Sequence, residues 1–252
     1  MLAQQRLRRG LAAAAEAVAD WAFDRRLLAR ALRRNHVLCL GDSHVDVMRH
    51  VRVARVWFRA KPVAGATASG LQNPQSTSQA MAIFDALLTR AQPWQGILLH
   101  LGEVDCGFLI WRRAQRLGVA VEQQLTYTLD TYASFISKVA QRGFDRVIVL
   151  SAPLPTIGDD PAKWGEIASL RSTVTASQAE RTALTVRFNA GLRDRCEALG
   201  VPFIDATSGH RDRSTGLVDA SFLRPTHQDH HLADGPYSRL IARELGELWP
   251  PA

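Results

Sequence analysis

Cysteine, lysine and long apolar runs are all scarce in this chain of 252 residues. Its three cysteines include no C-x-x-C pair, which excludes a disulfide framework and makes a reduced, cytoplasmic setting the expectation. No uninterrupted apolar run approaches about 18 residues, so no segment reads as a membrane-spanning helix. Glycine shows no G-x-y period, and there is no internal repeat or low-complexity tract. A basic stripe interleaved with aromatics, the footprint of a nucleic-acid binder, is also missing. What is present is a composition close to the globular average, 46% hydrophobic and 22% charged. That is too apolar for a disordered chain.

The net charge of +7 is unevenly placed. Residues 1–35 carry eight arginines (Arg6, Arg8, Arg9, Arg25, Arg26, Arg30, Arg33, Arg34) against Glu16, Asp20 and Asp24, a net +5. The stretch is rich in Ala and Leu and lacks Pro, so it reads as a basic helical extension ahead of a nearly neutral body at 36–252. Leu11 to Phe23 has the apolar look of a secretion signal, but Glu16 and Asp20 interrupt it and no clean cleavage site follows. A helix of this kind packs on the body or on a partner protein, or attaches peripherally to an anionic membrane surface.

From residue 36 the pattern alternates. Apolar runs at Val37–Gly41, Val53–Phe58, Ile97–Leu101, Val147–Leu150 and Pro202–Ile204 read as strands. Helical stretches are expected near 76–90, 120–142, 176–199 and 236–248. Continuous apolar strands separated by amphipathic helices specify a parallel sheet covered on both faces. The expected fold is therefore α/β, a three-layer α/β/α arrangement around a five-stranded parallel sheet, with the N-terminal helical extension. In such sheets ligands bind beyond the C-terminal ends of the strands. The segments 60–75 and 153–175 read as long loops, whose length suggests function.

Two clusters carry chemistry. In Leu40-Gly41-Asp42-Ser43-His44 a strand ends at Gly41, and a helix is expected to start just after Ser43. A serine there presents its Oγ and its own N–H to the same point, as a nucleophile and an anion donor would need. The alternative is that Asp42 or Ser43 only caps the helix. Near the C-terminus, Thr226-His227-Gln228-Asp229-His230-His231-Leu232 brings several imidazoles and a carboxylate together before a helix. An imidazole can take a serine proton and return it to a leaving group, and an Asp on its other nitrogen fixes the tautomer. A solvated loop or a metal cluster would use the same residues.

In their order along the chain these motifs resemble the SGNH (GDSL-type) hydrolases, a family of esterases and lipases on a flavodoxin-like sheet. The resemblance spans about residues 36–248. It implies Ser43 as nucleophile, His231 as base with His230 its rival, and Asp229 as the carboxylate that orients the ring. It further implies a loop glycine as oxyanion donor. Val63-Ala64-Gly65-Ala66-Thr67-Ala68 is similar to the corresponding loop of the family's carbohydrate acetylesterases, making Gly65 the candidate and Gly70 the competitor. Gly102-Glu103-Val104-Asp105 stands where the family has Gly-x-Asn-Asp, so Val104 replaces an oxyanion-hole Asn; Asn73 or Gln72 is expected to supply the missing donor. Asp42, Glu103, Asp105 and Trp111 are expected to line the substrate, Arg112 and Arg113 beside them. Gln228 stands where an Asp-x-x-His ending at His231 would need its Asp. Cys39 and Cys106 read as inert packing residues.

The function implied is hydrolysis or transfer of a short acyl group, acetyl on a carbohydrate, by a serine esterase with no cofactor, no metal and no nucleic-acid partner. Two other readings compete. A metal-dependent phosphoesterase would use Gly41-Asp42-Ser43-His44 with His227, Asp229, His230 and His231 as ligands. A catalytically decayed binding or scaffold module would follow from the loss of the oxyanion Asn and of the regular Asp-x-x-His.

Overall fold

A computed structural model describes residues 14–25, 35–160, 173–225 and 230–249. Five strands, β1 (Asn35–Gly41), β2 (Val56–Pro62), β3 (Gly96–His100), β4 (Arg146–Leu150) and β5 (Phe203–Ile204), form one sheet in the order β2-β1-β3-β4-β5. All neighbours pair in parallel. Helices α1 (Ala80–Arg90), α2 (Ile110–Leu117), α3 (Val121–Ala140), α4 (Gln178–Ala198) and α5 (Asp234–Gly246) connect and cover it. The expected three-layer arrangement with the flavodoxin-like strand order is what the chain adopts.

The period-2 alternation of side chains divides the core between the two faces. Leu38, Leu40, Ile97, Leu99, Val147 and Val149 pack with α1, α3 and α4 on one side. Val37, Cys39, Leu98, Ile148 and Leu150 pack with α5 and the short 3-10 helix Ser43–Arg49 on the other. Strand order reverses between β1 and β3, and the C-terminal end of β1 lies beside that of β3, Gly41 opposite His100. A Cβ on Gly41 would lie 2.1 Å from the His100 carbonyl oxygen, so only glycine fits there. This crevice positions the site.

Three expectations need correction. The second strand lies at Val56–Pro62, not 53–58, and it runs through Arg59 and Lys61. Those charges are tolerated because a helix over residues 14–23 lies across them. Asp20 accepts from Arg59 Nε and Lys61 Nζ at 2.7 Å each, and Arg59 is 8% exposed. Burial pushes the Asp20 carboxyl up, but the Arg59 and Lys61 hydrogen bonds outweigh it and hold the carboxyl below its ordinary value. Second, α2 and a π-helical turn at Asp105–Leu109 occupy a stretch for which no helix was expected. Third, the helix expected just after Ser43 is a seven-residue 3-10 helix, Ser43–Arg49, that begins at Ser43 itself and is capped by Asp42.

The helix at 14–23 packs on the body, one of the placements expected for it. Phe23 is buried in the main core, stacks on His36 with ring centroids 4.9 Å apart, and meets the edge of Trp57. Of the arginines in residues 1–35, Arg6, Arg8, Arg9, Arg26, Arg30, Arg33 and Arg34 lie outside the described residues. No helix among the described residues is long and apolar enough to cross a membrane.

Candidate active site

Ser43 follows β1 directly. Asp42, in extended backbone, turns the chain and accepts a hydrogen bond from the His44 N–H at 2.8 Å. The Asp42 carboxylate also accepts from His44 Nδ1 at 3.0 Å. This locks the turn so that Ser43 is half-buried at the rim of the crevice while its neighbours Asp42 and His44 are buried. The Ser43 N–H stands in the first turn of that 3-10 helix, where a backbone N–H has no intrahelical acceptor.

The chain returns to this point 188 residues later. His231 Nε2 lies 2.9 Å from Ser43 Oγ, a distance at which the hydroxyl donates to the imidazole. His231 sits in the segment before α5, tied down by the Leu223–Leu232 bridge and by the Ala233 N–H on Phe222 O at 2.7 Å. The carbonyl of His230 is held from two sides: Thr156 Oγ1 donates to it at 2.8 Å, and His44 Nε2 lies 3.4 Å away. Thr156 belongs to the loop after β4, which is itself clamped. Asn189 on α4 bonds both the N–H and the C=O of Ala152 at 2.9 Å, and the Leu154 N–H donates to His210 Nε2 at 3.0 Å. Thus the sheet, through the β4 loop, sets the place of His231. Asp229, expected to orient the ring, and His227 lie outside the described residues.

The loop 63–72 approaches from β2. Val63 to Ala66 is a tight turn closed by the Ala66 N–H on Val63 O at 3.0 Å, with Gly65 at φ +69° where a side chain would be strained. Gly65 is exposed, and its neighbour Ala64, not Gly65 itself, borders the cavity beside Ser43. Gly70, the competing donor, already gives its N–H to Thr67 Oγ1 and Thr67 O. Asn73 is exposed, its side-chain oxygen accepts from the Gln75 N–H, and neither it nor Gln72 borders the cavity beside Ser43. The expected replacement donor is therefore not found at that position, and backbone N–H groups are what the loop offers.

Four residues expected to touch substrate are elsewhere. Asp105 is fully buried and accepts from Ala68 N at 2.7 Å, Ser69 N at 3.1 Å and Ser69 Oγ at 2.6 Å. Burial raises its carboxyl pKa while these three donors pull the other way. Asp105 is thus the clamp of the loop that carries Gly65. Asp42 and Glu103 are buried. Trp111 donates to Cys106 O at 2.8 Å and packs on the core. Arg112 and Arg113 lie over Phe108 and Tyr127. None of the six borders the cavity. Burial pushes the Cys39 and Cys106 thiols up, consistent with inert packing.

The cavity itself is about 470 Å³ and opens between Ser43, His231, Ala64, Arg49, Arg224 and Tyr237. Its charges are matched. Arg224 pairs with Asp234 at 3.0 Å, and Arg49 pairs with Asp46. Thr156, His44 and the new role of Asp105 were invisible to pattern reading, because each acts on backbone atoms far away in sequence.

No family model matches the sequence, and no curated protein matches it. Solved structures do resemble it. A GDSL-like lipase from Bacteroides thetaiotaomicron superposes with a TM-score of 0.55 at 12% identity, over 85% of this chain and 87% of that one. An acetylxylan esterase from Geobacillus stearothermophilus superposes with a TM-score of 0.52 at 13% identity, over 86% of this chain and 95% of that one. At such identities the likeness establishes the fold alone, the three-layer α/β/α architecture.

Proposed function

We propose that this chain is a serine esterase that cleaves, or transfers, a short acyl group. Ser43 Oγ attacks the ester carbonyl as its proton passes to His231 Nε2. The resulting imidazolium returns that proton to the departing alcohol, and water, or an acceptor hydroxyl, releases the acyl group by the same steps in reverse. The N–H groups of Ser43 and Gly65 are the donors assigned to the oxyanion. Asp229, two residues ahead of His231, is the carboxylate assigned to the imidazole. The observation that carries the reading is the 2.9 Å contact between Ser43 Oγ and His231 Nε2, made across 188 residues.

An acetyl group on a carbohydrate is the substrate class we favour. The matched charges around the cavity suit an uncharged ester, and its volume suits one small ring with its acyl group. The likeness to an acetylxylan esterase points the same way. The phosphoesterase reading draws less support. Two metals clamping a phosphate need ligands from several strand ends, whereas the metal-capable group among the described residues is three imidazoles without a carboxylate. A decayed scaffold has no need of a hydroxyl held against an imidazole. Replacing Ser43 by Ala tests the proposal: hydrolysis of an aryl acetate should fall by roughly 10⁴-fold or more in a folded variant. Wild-type turnover by that variant would overturn it.

A further inference from the structure

We propose that His44, His230 and His231 form a binding site for a divalent ion of the zinc class, and that its occupancy switches the site off. The second clause rests on the esterase reading; the first does not. Ring centroids are 3.9 Å apart for His230–His231, 4.6 Å for His44–His231 and 5.4 Å for His44–His230. One nitrogen from each ring lies within 4.8 Å of the other two. Three imidazoles about a tetrahedral ion at roughly 2.0–2.1 Å would bring those nitrogens to about 3.4 Å of one another. Binding therefore requires the three rings to turn inward by about an ångström or more, with the His44 ring still held on Asp42.

The environment of His44 is that of a metal ligand. Its Nδ1 is bonded to the buried Asp42 carboxylate, which fixes the tautomer and makes Nε2 the electron-pair donor; a carboxylate behind an imidazole is the recurrent support of metal-binding histidines. That Nε2 in turn faces the His230 carbonyl oxygen at 3.4 Å. A divalent ion on Nε2 would take the place that a ring proton occupies on that side, with the Asp42 carboxylate still behind the ring. His44 and His231 border the cavity, so the fourth coordination position is open to water. Three nitrogen ligands with one open position suit Zn(II), Cu(II) or Co(II), not the oxygen-seeking Mg(II) or Ca(II). His231 Nε2 faces Ser43 Oγ, and an ion on either ring nitrogen removes the base: on Nε2 it takes the lone pair, and on Nδ1 it leaves the ring proton on Nε2.

The test uses the full chain, stripped with a chelator at pH 7.5. Zn(II) is titrated calorimetrically, and Co(II) serves as the spectroscopic probe. One ion per chain, with the visible bands of a tetrahedral Co(II) site, is expected. His44→Gln and His230→Gln should each weaken binding by about tenfold or more, while Ser43→Ala should retain it. Aryl acetate hydrolysis should fall with the same midpoint in Zn(II) and recover with EDTA. Absence of binding, or equal binding by wild type and His230→Gln, would overturn the site; because His230 is half-exposed, that variant reports even if His44→Gln fails to fold. Full hydrolysis at saturating Zn(II) would overturn the switch. A chain that binds Zn(II) through these rings but has no hydrolysis to inhibit would refute the esterase and leave the metal site standing.

Discussion

The serine side and the histidine side of the site are built differently. Ser43 hangs on the end of a central strand that is itself buried on both faces, beside a glycine that admits no side chain. Its position follows from the sheet. His231 sits in a segment without regular structure, and its place depends on individual hydrogen bonds, chiefly that from Thr156 to the His230 carbonyl. The lesson is that a nucleophile can be fixed by packing while its base is fixed by polar contacts. Packing resists single substitutions that polar contacts do not, so the two halves should fail in different ways.

Substitutions sharpen this contrast. The largest effect should come from His231→Gln, which keeps the fold and lowers kcat for an aryl acetate by about 10⁴-fold, comparable to loss of the serine. Asp105→Ala comes next. It strands two backbone N–H groups and a hydroxyl in a dry site, so urea unfolding should show a loss of about 3 kcal/mol, with the Gly65 loop loosened. Acid should act on the serine side through His100, which burial holds at a pKa of about 4 at the end of β3. Between about pH 6.5 and 4 the unfolded chain binds a proton there that the folded chain refuses, so stability is full above pH 6.5 and falls as pH drops toward 4. Up to about 3 kcal/mol is at stake for that one ring, and a Tm that stays flat over that range would refute the assignment. Burial lowers His210, which accepts from Leu154, in the same sense. The smallest effect should be Thr156→Val: Tm near wild type, but kcat reduced about tenfold, because a base displaced by a fraction of an ångström loses alignment. If Thr156→Val instead left kcat intact, the histidine side would be as rigid as the serine side.

Much of this was legible in the residues. The runs around Leu38, Leu98 and Ile148 announce strands because a strand buried on both faces must be apolar throughout. Ser43 and His231 stand out because nucleophile and base chemistry restrict residue choice. Strand β2 was misplaced because Arg59 and Lys61 look like surface residues until Glu16 and Asp20, some forty positions earlier, are folded onto them. The helix Ile110–Leu117 was missed because half of its eight positions are Arg or Gln, which leaves a short and weak apolar pattern. Asp105 was read as a substrate contact because burial does not show in a sequence. Thr156 gave no signal at all, since its partner is a carbonyl 74 residues away.

The central claim is that the Ser43 hydroxyl is made reactive by the His231 imidazole. Labelling the purified chain with a fluorophosphonate and locating the adduct by mass spectrometry tests it most directly. The account predicts a single adduct on Ser43 in the wild type and none on the same time scale in His231→Gln. An unlabelled wild type, or equal labelling of the two proteins, would contradict it.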